Sequence, residues 1–354
     1  MSSVECPKYR VRIFLSVDLS NSTSFKSTRP PHQWVSIFRN FYAEFTELYK
    51  RKHLQLVEEN GSDVAALRKR PPRLWKTVGD EIVFVNRVDS CFEVYLFVKA
   101  FSLALGEYGD TLRNDSERKS LGVKGAGWIA SFPYPNVSIE IPSAIAKEES
   151  DLSESEALEK SADENPNNHE FLGKGLDYGF RIGQHSSEDF FSISPALADV
   201  LARARVNEDY SGLSVQLVVK PPVKLKGVLD GRDYPVIGIP IDRNEEWGSY
   251  RRLQEKLIGG NQSNDGDLRK YFQHFIQLHE IEQPCLKTRP SDLDPNPPTF
   301  YTEKYVPFWS ASAKEVEDQE QLIQEGASQG DEGDPPAEQV IDAILKRVSS
   351  KKPS

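Results

Sequence analysis

Apolar residues follow two different spacings in the first hundred residues of the chain. Residues 11–17, VRIFLSV, form an almost continuous apolar run, which is typical of a buried central strand. Over residues 34–48 the apolar positions recur every three or four residues, which predicts a helix with one apolar side. Two strand-like runs then flank Gly79 and Asp80, so the sequence predicts a β-hairpin with these two residues at its tip.

Strand and helix patterns continue to about residue 241. Helical spacing returns at 90–105 and again at 195–204, where a proline opens the helix. Further strands are predicted at 123–132, 137–141, 190–194, 213–219 and 234–239. The order strand, helix, hairpin, helix, strand predicts an α+β fold, a ferredoxin-like sandwich with a mainly antiparallel sheet.

Composition changes at two places along the chain. Residues 147–168 are rich in acids and contain no aromatic residue, so we expect a flexible insertion there. Later, helices are predicted at 247–258 and 268–281, followed by an acidic segment that contains Gly and Ser. We therefore expect a main domain over 1–241 and a C-terminal extension over 242–354 with a partly disordered tail.

The charge balance narrows the class of protein. The 354 residues include 44 Lys and Arg against 54 Asp and Glu, a net charge of −10, which argues against a nucleic-acid partner. The three cysteines, Cys6, Cys91 and Cys285, are too few for a disulfide framework or a cysteine zinc site. Neither a signal peptide nor an apolar run of about 18 residues is found, so we expect a cytoplasmic protein without a membrane span.

Two acids are the first candidates for chemistry. Asp18 ends the first predicted strand within FLSVDLSNST, and a hard divalent cation prefers such carboxylate and backbone oxygens, while turn N–H groups can bind phosphate. The alternative is that Asp18 only caps a turn, and Asp80 at a hairpin tip has the same alternative. If the two strands pair side by side, both carboxylates converge and can share two metal ions.

Three motifs together resemble the class III nucleotide cyclases. Residues 14–23 resemble that family's F-x-D-[IL]-x-x-S-T signature, and residues 76–81, KTVGDE, resemble its K-x-x-G-D hairpin. Residues 173–181, GKGLDYGFR, are similar to its G-x-x-[VL]-N-x-A-x-R motif. The motifs occur in the family's order and span about residues 9–241.

The resemblance implies a two-metal site. Asp18, Asp80 and the backbone carbonyl of Leu19 would hold two Mn²⁺ or Mg²⁺ ions, and Ser22 and Thr23 would contact the substrate. The metals would assist attack of the ribose 3′-hydroxyl on the α-phosphate, with release of pyrophosphate. Such chemistry depends on positioning and charge neutralisation more than on a covalent nucleophile.

The resemblance also implies residues for the base, the ribose and the transition state. Arg181 matches the arginine that stabilises charge on the phosphate, and Lys76 and Glu170 match the two base-contacting residues. Asp177 stands where the family usually has an asparagine that orients the ribose, so the acceptor is kept and the amide donor is lost. Gly179 and Phe180 also depart from the usual small residues before the arginine.

The version D-x-G-F-R of the third motif resembles the pyrimidine cyclases of bacterial antiphage defence, the Pycsar type. That likeness implies a product of cyclic UMP or cyclic CMP, a second messenger that acts on a separate effector protein. We expect conversion of UTP to 3′,5′-cyclic UMP, because this looks like the commoner activity in that group. Tyr42 and Tyr49 are candidate walls of a small base pocket, with core packing as the alternative. A cytidylate cyclase and an adenylate or guanylate cyclase are the near alternatives.

Two further expectations concern the oligomeric state of the protein and whether it is an enzyme. In the family the two halves of a site lie on different subunits, so one chain carrying both halves implies a homodimer with sites at the interface. The alternative from another class is a non-catalytic, cyclase-like module for nucleotide sensing or protein interaction. The roles of the extension and the activating signal are left open by the sequence.

Overall fold

The computed structural model describes residues 5–60, 70–141, 154–205, 215–241 and 265–328, and the single positions 249, 250, 253 and 257. The strands are β1 Arg10–Ser20, β2 Arg73–Val78, β3 Glu81–Val88, β4 Gly122–Phe132, β5 Val137–Glu140, β6 His169–Leu172, β7 Phe190–Ile193, β8 Val218–Lys224 and β9 Asp233–Pro240. The α-helices are α1 Ser22–Ser27, α2 Pro31–Glu59, α3 Cys91–Asn114, α4 Glu156–Glu164, α5 Lys174–Ile182, α6 Pro195–Arg205, α7 Asp265–Leu278 and α8 Val306–Ser328.

Seven strands form one sheet in the order β2-β3-β1-β4-β7-β9-β8. Within it β4 and β7 are parallel, and the other neighbouring strands are antiparallel. Strands β5 and β6 form a separate antiparallel pair. The prediction of an α+β fold with a mainly antiparallel sheet is confirmed, and each strand predicted at 123–132, 137–141, 190–194 and 234–239 is present within a residue or two.

Strand β1 lies at the centre of the sheet and is buried on both sides. Its odd-numbered residues, Val11 to Val17, pack with the apolar sides of α2, α3 and α6 in the main core. We call this side of the sheet the helix face. Its even-numbered residues point to the opposite side, which we call the site face because Asp18 lies on it. Alternation along a strand separates the two sets.

Aromatic rings fill the middle of the site face. Phe14 of β1 stacks on Trp128 of β4, with ring centres 5.6 Å apart and planes at 4°. Trp75 of β2 and Phe171 of β6 contact Phe14 edge to face. Helix α5 packs beside this cluster through Leu176 and Ile182. The cluster therefore holds β2, β6 and α5, which carry the candidate residues Lys76, Glu170 and Arg181, against one sheet.

Two buried arginines hold α4 against the N-terminal half of β1. Arg10 forms ion pairs with Glu156 and with Asp163, the latter at 2.8 Å. Arg12 forms ion pairs with Glu159 at 2.7 Å and with Asp163 at 2.6 Å. Both arginines and both glutamates are at least 96 % buried, so each charge depends on its partners rather than on water.

The expectation of a flexible insertion is therefore wrong for residues 154–168. This stretch forms α4 and a turn that leads directly into β6. Three of its acids, Glu156, Glu159 and Asp163, are not solvated, because they neutralise arginines more than 140 positions earlier in the chain. Residues 142–153 lie outside the described residues.

The C-terminal predictions have mixed outcomes. The strand expected at 213–219 forms later, as β8, and the helix expected at 268–281 forms as α7. The helix expected at 247–258 lies almost wholly outside the described residues. Residues 1–305 form one compact unit that includes α7, and 306–354 form a second unit whose described part is α8.

Among the stretches that the structure describes, each helix is too short or too polar to span a lipid bilayer.

Removing one buried arginine should destabilise the protein strongly. Arg12→Ala removes one of the two buried arginines that neutralise Glu159 and Asp163 and leaves only Arg10 beside these acids, so we expect a loss of about 3–5 kcal/mol in the free energy of unfolding. The control is Arg51→Ala, because the Arg51–Glu107 ion pair is exposed and should contribute less than about 1 kcal/mol. Urea unfolding followed by circular dichroism measures both, and a loss below 1 kcal/mol for Arg12→Ala would contradict the assignment.

Candidate functional site

Strand register places three charged residues side by side at the end of β1. Asp18 is directly opposite Glu81 of β3 and directly opposite Lys124 of β4. The Lys124 Nζ lies 3.0 Å from Asp18 Oδ2, and both side chains are about one-third exposed. Asp18 therefore lies between the carboxyl of Glu81 and the ammonium of Lys124 on the site face, where solvent reaches it in part.

The β2–β3 hairpin brings Asp80 to the same place. Gly79 has φ +64°, a conformation that favours glycine and closes the turn before Asp80. The backbone N–H of Leu19 donates to the Asp80 carbonyl at 3.4 Å, and the Tyr42 hydroxyl donates to the Gly79 carbonyl. These contacts fix the hairpin tip beside the end of β1, as the sequence predicts for the two aspartates.

Burial and the charged neighbours of Asp18, Asp80 among them, shift its pKa. Burial raises the pKa of Asp18, the Lys124 ammonium opposes this, and the Asp80 carboxyl, within hydrogen-bonding reach, raises it further. The pKa of Glu81 is also raised, by burial first and then by Asp18, although a hydrogen bond from Ser16 lowers it. Carboxylates that raise one another's pKa favour an added cation between them.

The carboxylate oxygens of Asp18 and Asp80 fit a divalent cation whose remaining ligands come from substrate phosphates and water. Within the described ranges, no group of three or more His, Cys, Asp and Glu side chains is arranged to hold a metal ion. Asp18 and Asp80 supply two carboxylates. Leu19 follows Asp18 in the chain, and its backbone N–H donates to the Asp80 carbonyl. Mg²⁺ is commonly held by one or two carboxylates together with substrate phosphates and water, so this donor set fits the predicted metals.

Ser22 and Thr23 begin the short helix α1 immediately after β1. Asn21 precedes them with φ 62°, and the Phe25 N–H donates to the Asn21 carbonyl at 2.9 Å. The Ser22 side chain is buried and the Thr23 side chain is exposed. Their contact with substrate stays a prediction.

Lys76 and Glu170 form an ion pair on the same face. The Lys76 Nζ lies 2.5 Å from Glu170 Oε1, and it also lies 4.0 Å from the ring centre of Trp75. The Trp75 indole donates to the His169 carbonyl at 2.9 Å, which fixes β6 and hence Glu170 beside β2. The structure therefore brings together the two residues that the sequence resemblance assigns to base contact, 94 positions apart.

Helix α5 carries Asp177 and Arg181, four residues apart. The Asp177 side chain is exposed, and the Arg181 guanidinium lies near Gly227, where an added Cβ would be 3.5 Å from Nη2. Within the part of the chain that the structure describes, no hydrogen bond or ion pair engages the side chain of either residue. A Cβ on Gly179 would lie 2.2 Å from Trp128, so glycine there allows α5 to approach β4.

Phe180 stands between the acid pair and the Lys76 pair. It lines a cleft of about 160 Å³ together with Asp18, Glu81 and Lys124. Its ring centre also lies 5.8 Å from the Lys76 Nζ and 5.0 Å from the ring centre of Trp128. Phe180 therefore occupies space next to both groups.

The predicted residues thus fall into two groups on one sheet face. Asp18, Leu19 and Asp80 meet at one place, and Lys76 and Glu170 meet at another. No hydrogen bond or ion pair between described residues connects Arg181 to the acid pair within one chain. This arrangement is compatible with a site completed by a second chain, which stays a prediction.

Sequence reasoning missed Lys124, Glu81 and Lys26. Lys124 and Glu81 are found only when the register of β1 with its neighbours is known, although both are charged residues in predicted strands. Lys26 lies in α1, with its Nζ 3.8 Å from Asp80 Oδ1. Of the candidate wall residues, Tyr49 is fully buried in the main core, whereas Tyr42 contacts the hairpin tip.

Comparison with known proteins finds likeness only among solved structures. A scan against models of protein families gives no match, and a search of curated proteins gives none either. The adenylyl cyclase CyaB from P. aeruginosa matches 67 % of this chain and 97 % of its own, with 10 % identity and a TM-score of 0.43.

Two further structures match similar shares of the chain. The guanylate cyclase domain of RhGC from Catenaria anguillulae, in complex with GTP, covers 66 % of this chain and 97 % of its own, at 13 % identity and a TM-score of 0.38. The catalytic core of a rhodopsin-guanylyl cyclase with converted specificity, in complex with ATPαS, covers 68 % and 100 %, at 11 % identity and a TM-score of 0.40. These values are low, so the functional conclusion is argued from the chain's own residues.

Metal binding can be tested by thermal unfolding without any substrate. Because its raised pKa means that the folded protein favours neutral Asp18, Asp18→Asn in EDTA should unfold at the same temperature as the unsubstituted protein or higher. Mn²⁺ should raise the unfolding temperature of the unsubstituted protein and leave that of Asp18→Asn unchanged. The control Asp110→Asn, at a partly exposed acid of α3, should keep the Mn²⁺ response, and an equal response in Asp18→Asn would rule out this metal site.

Proposed function

We propose that this protein is a nucleotide cyclase that converts a nucleoside triphosphate to a 3′,5′-cyclic nucleotide and pyrophosphate. One observation carries the proposal: Asp18 and Asp80 converge on the same sheet face as the Lys76–Glu170 pair and as the helix that bears Arg181. Asp18 and Asp80 suit a metal-bound triphosphate, and the Lys76–Glu170 pair suits a nucleobase. Triphosphate and base are the two ends of one nucleotide. We assign the catalytic role to residues 1–241, because all of these residues lie there.

The acid end would hold the triphosphate. Two divalent cations on Asp18, Asp80 and the Leu19 carbonyl would neutralise phosphate charge and favour ionisation of the 3′-hydroxyl. Lys124 and Lys26, which pair with these acids in the structure, would turn to phosphate oxygens when the acids bind metal. Attack of O3′ on the α-phosphorus breaks the bond to pyrophosphate, and the hydroxyl proton passes to solvent.

The arginine would stabilise the reacting phosphate. Arg181 has no partner in the described part of its own chain, so its guanidinium is available for an oxygen that gains charge during the reaction. Asp177, one turn earlier on α5, would accept a hydrogen bond from a ribose hydroxyl. Because neither reaches the acid pair of its own chain, we propose a homodimer in which each site takes its acids from one chain and Arg181 from the other.

The Lys76–Glu170 end of the site suits a small nucleobase. The Lys76 ammonium can donate to a base carbonyl while Glu170 accepts from an N–H group, a pattern that the O4 and N3–H edge of uracil matches. Phe180, where the family resemblance leads one to expect a small residue, fills space beside both the acids and Lys76. We therefore propose UTP as substrate and cyclic UMP as product.

The wider role follows from that product. We propose that cyclic UMP serves as a second messenger in bacterial antiphage defence and acts on a separate effector protein in the cytoplasm, where nucleoside triphosphates are available. The support is the D-x-G-F-R form of the third motif, at residues 177–181, and its resemblance to the Pycsar type.

Product identification tests the proposed activity. The purified protein is incubated with Mn²⁺ and with ATP, GTP, CTP or UTP in turn, and products are identified by mass spectrometry. We expect cyclic UMP and pyrophosphate from UTP, and a loss of at least about 100-fold in Asp18→Ala, because removal of a metal ligand removes charge neutralisation in the transition state.

The other products have defined meanings. Cyclic CMP, cyclic AMP or cyclic GMP as the main product would keep the cyclase and reject the uridylate assignment. Product formation that is unchanged in Asp18→Ala would reject the site. The control variant Asp110→Asn should retain full activity.

Enlarging the base site should change the choice of substrate. Phe180→Ala removes a ring beside Lys76, so we expect the ratio of kcat/KM for UTP to that for ATP to fall at least about tenfold. Phe308→Ala, at a side chain that is 69 % exposed, is the control and should leave the ratio unchanged. If Phe180→Ala lowers both rates equally, the ring has only a packing role.

A further inference from the structure

A second cavity lies beside α5, away from the acid pair and from Lys76. Its volume is about 490 Å³, and it is enclosed by the end of β4, the start of α6 and the segment that follows α7. Lys174 and Tyr178 of α5 line it, as do Tyr234 of β9 and, after α7, His279 and Glu282. None of the residues proposed for catalysis lines this cavity.

Two tyrosine hydroxyls at this cavity have no hydrogen-bond partner among the described residues. Tyr234 is 2 % exposed, and its hydroxyl makes no hydrogen bond with any described residue. The nearby Tyr178 hydroxyl likewise has none in the described ranges, and the two tyrosines interact electrostatically. Tyr234 is buried as a residue, but its hydroxyl is not among the polar atoms that are sealed from solvent without a partner, and Tyr178 is partly exposed. Both hydroxyls are therefore open to the cavity, where a polar ligand can replace water as their hydrogen-bond partner.

Charged groups of both signs line the same cavity. The Glu282 carboxyl is half-buried, which raises its pKa to about 7 against the opposing effect of Lys174 and Lys304. Between described residues, neither Glu282 nor Lys174 forms an ion pair within 4 Å. A carboxyl that is partly protonated at neutral pH can both donate and accept a hydrogen bond, while Lys174 and His279 offer donors to an anion.

We propose that this cavity is a binding site for a mononucleotide, distinct from the proposed active site. The phosphate would contact Lys174 and His279, and the base edge would contact Glu282 and the two tyrosine hydroxyls. Apolar side chains such as Ile281 and Ala196 would cover the base faces. The volume falls within the range of small-ligand pockets, about 300–1,000 Å³.

The position of the cavity suggests what occupancy would do. Lys174, Tyr178 and Arg181 are spaced by four and three residues, so they lie along one side of α5. A ligand held at the first two would fix the helix that presents Arg181. This consequence for turnover rests on the proposed cyclase activity, whereas the binding does not.

Isothermal titration calorimetry with UMP tests the binding. Lys174→Gln and Tyr234→Phe should each weaken UMP binding at the cavity by about tenfold or more, since each removes a hydrogen bond to a ligand. Lys76→Ala, which alters the proposed base site, should leave that binding intact. Lys50→Gln, at a partly exposed position, and Tyr271→Phe, at an exposed one, are matched controls, and circular dichroism checks that every variant folds.

The outcomes separate this proposal from the cyclase proposal. UMP binding that is lost in Lys174→Gln and Tyr234→Phe but kept in Lys76→Ala supports the cavity, whether or not any cyclic nucleotide is formed. UMP affinity that is unchanged in both cavity variants, or lost only in Lys76→Ala, overturns it. No heat of binding at millimolar UMP with the unsubstituted protein overturns it as well.

Discussion

The register of β1 between β3 and β4 is the constraint on which the site depends. Because β1 is buried on both sides, a slip of one residue would move its apolar residues onto the site face and Asp18 onto the helix face. The observed register sets Asp18 directly beside Glu81 and Lys124, and the hairpin contact of Leu19 adds Asp80. The charges at this end of the sheet are therefore fixed by packing of the whole strand.

A second constraint acts at the other end of β1. Arg10 and Arg12 point to a face that is otherwise aromatic, and they are tolerated there because α4 supplies buried acids. The chain then passes from α4 into β6, whose His169 carbonyl accepts from Trp75. The ion pairs thus contribute to the placement of Glu170 beside Lys76, so a buried charge cluster is structurally connected to a residue that we propose for base contact.

Much of this architecture could be predicted from the sequence, because local patterns determine it. The period of apolar residues predicted β1 and the long helix α2, and the Gly79-Asp80 turn predicted the hairpin that carries one of the two acids. Features that depend on distant pairing were missed. The acids of α4 resembled a solvated segment because their arginine partners lie far away in the sequence. Lys124 can be identified as a neighbour of Asp18 only when the register of β1 with β4 is known. The cavity beside α5 combines β4, β9 and the segment after α7, which no local pattern relates.

The proposed active site joins the acid pair of one chain to Arg181 of a second chain. Mixing inactive Asp18→Ala with inactive Arg181→Ala tests this most directly, with product formation from UTP as the readout. Random exchange in an equal mixture makes about half of the dimers mixed, each with one intact site, so we expect about a quarter of the unsubstituted protein's activity. No recovery after verified subunit exchange would contradict a site shared between chains.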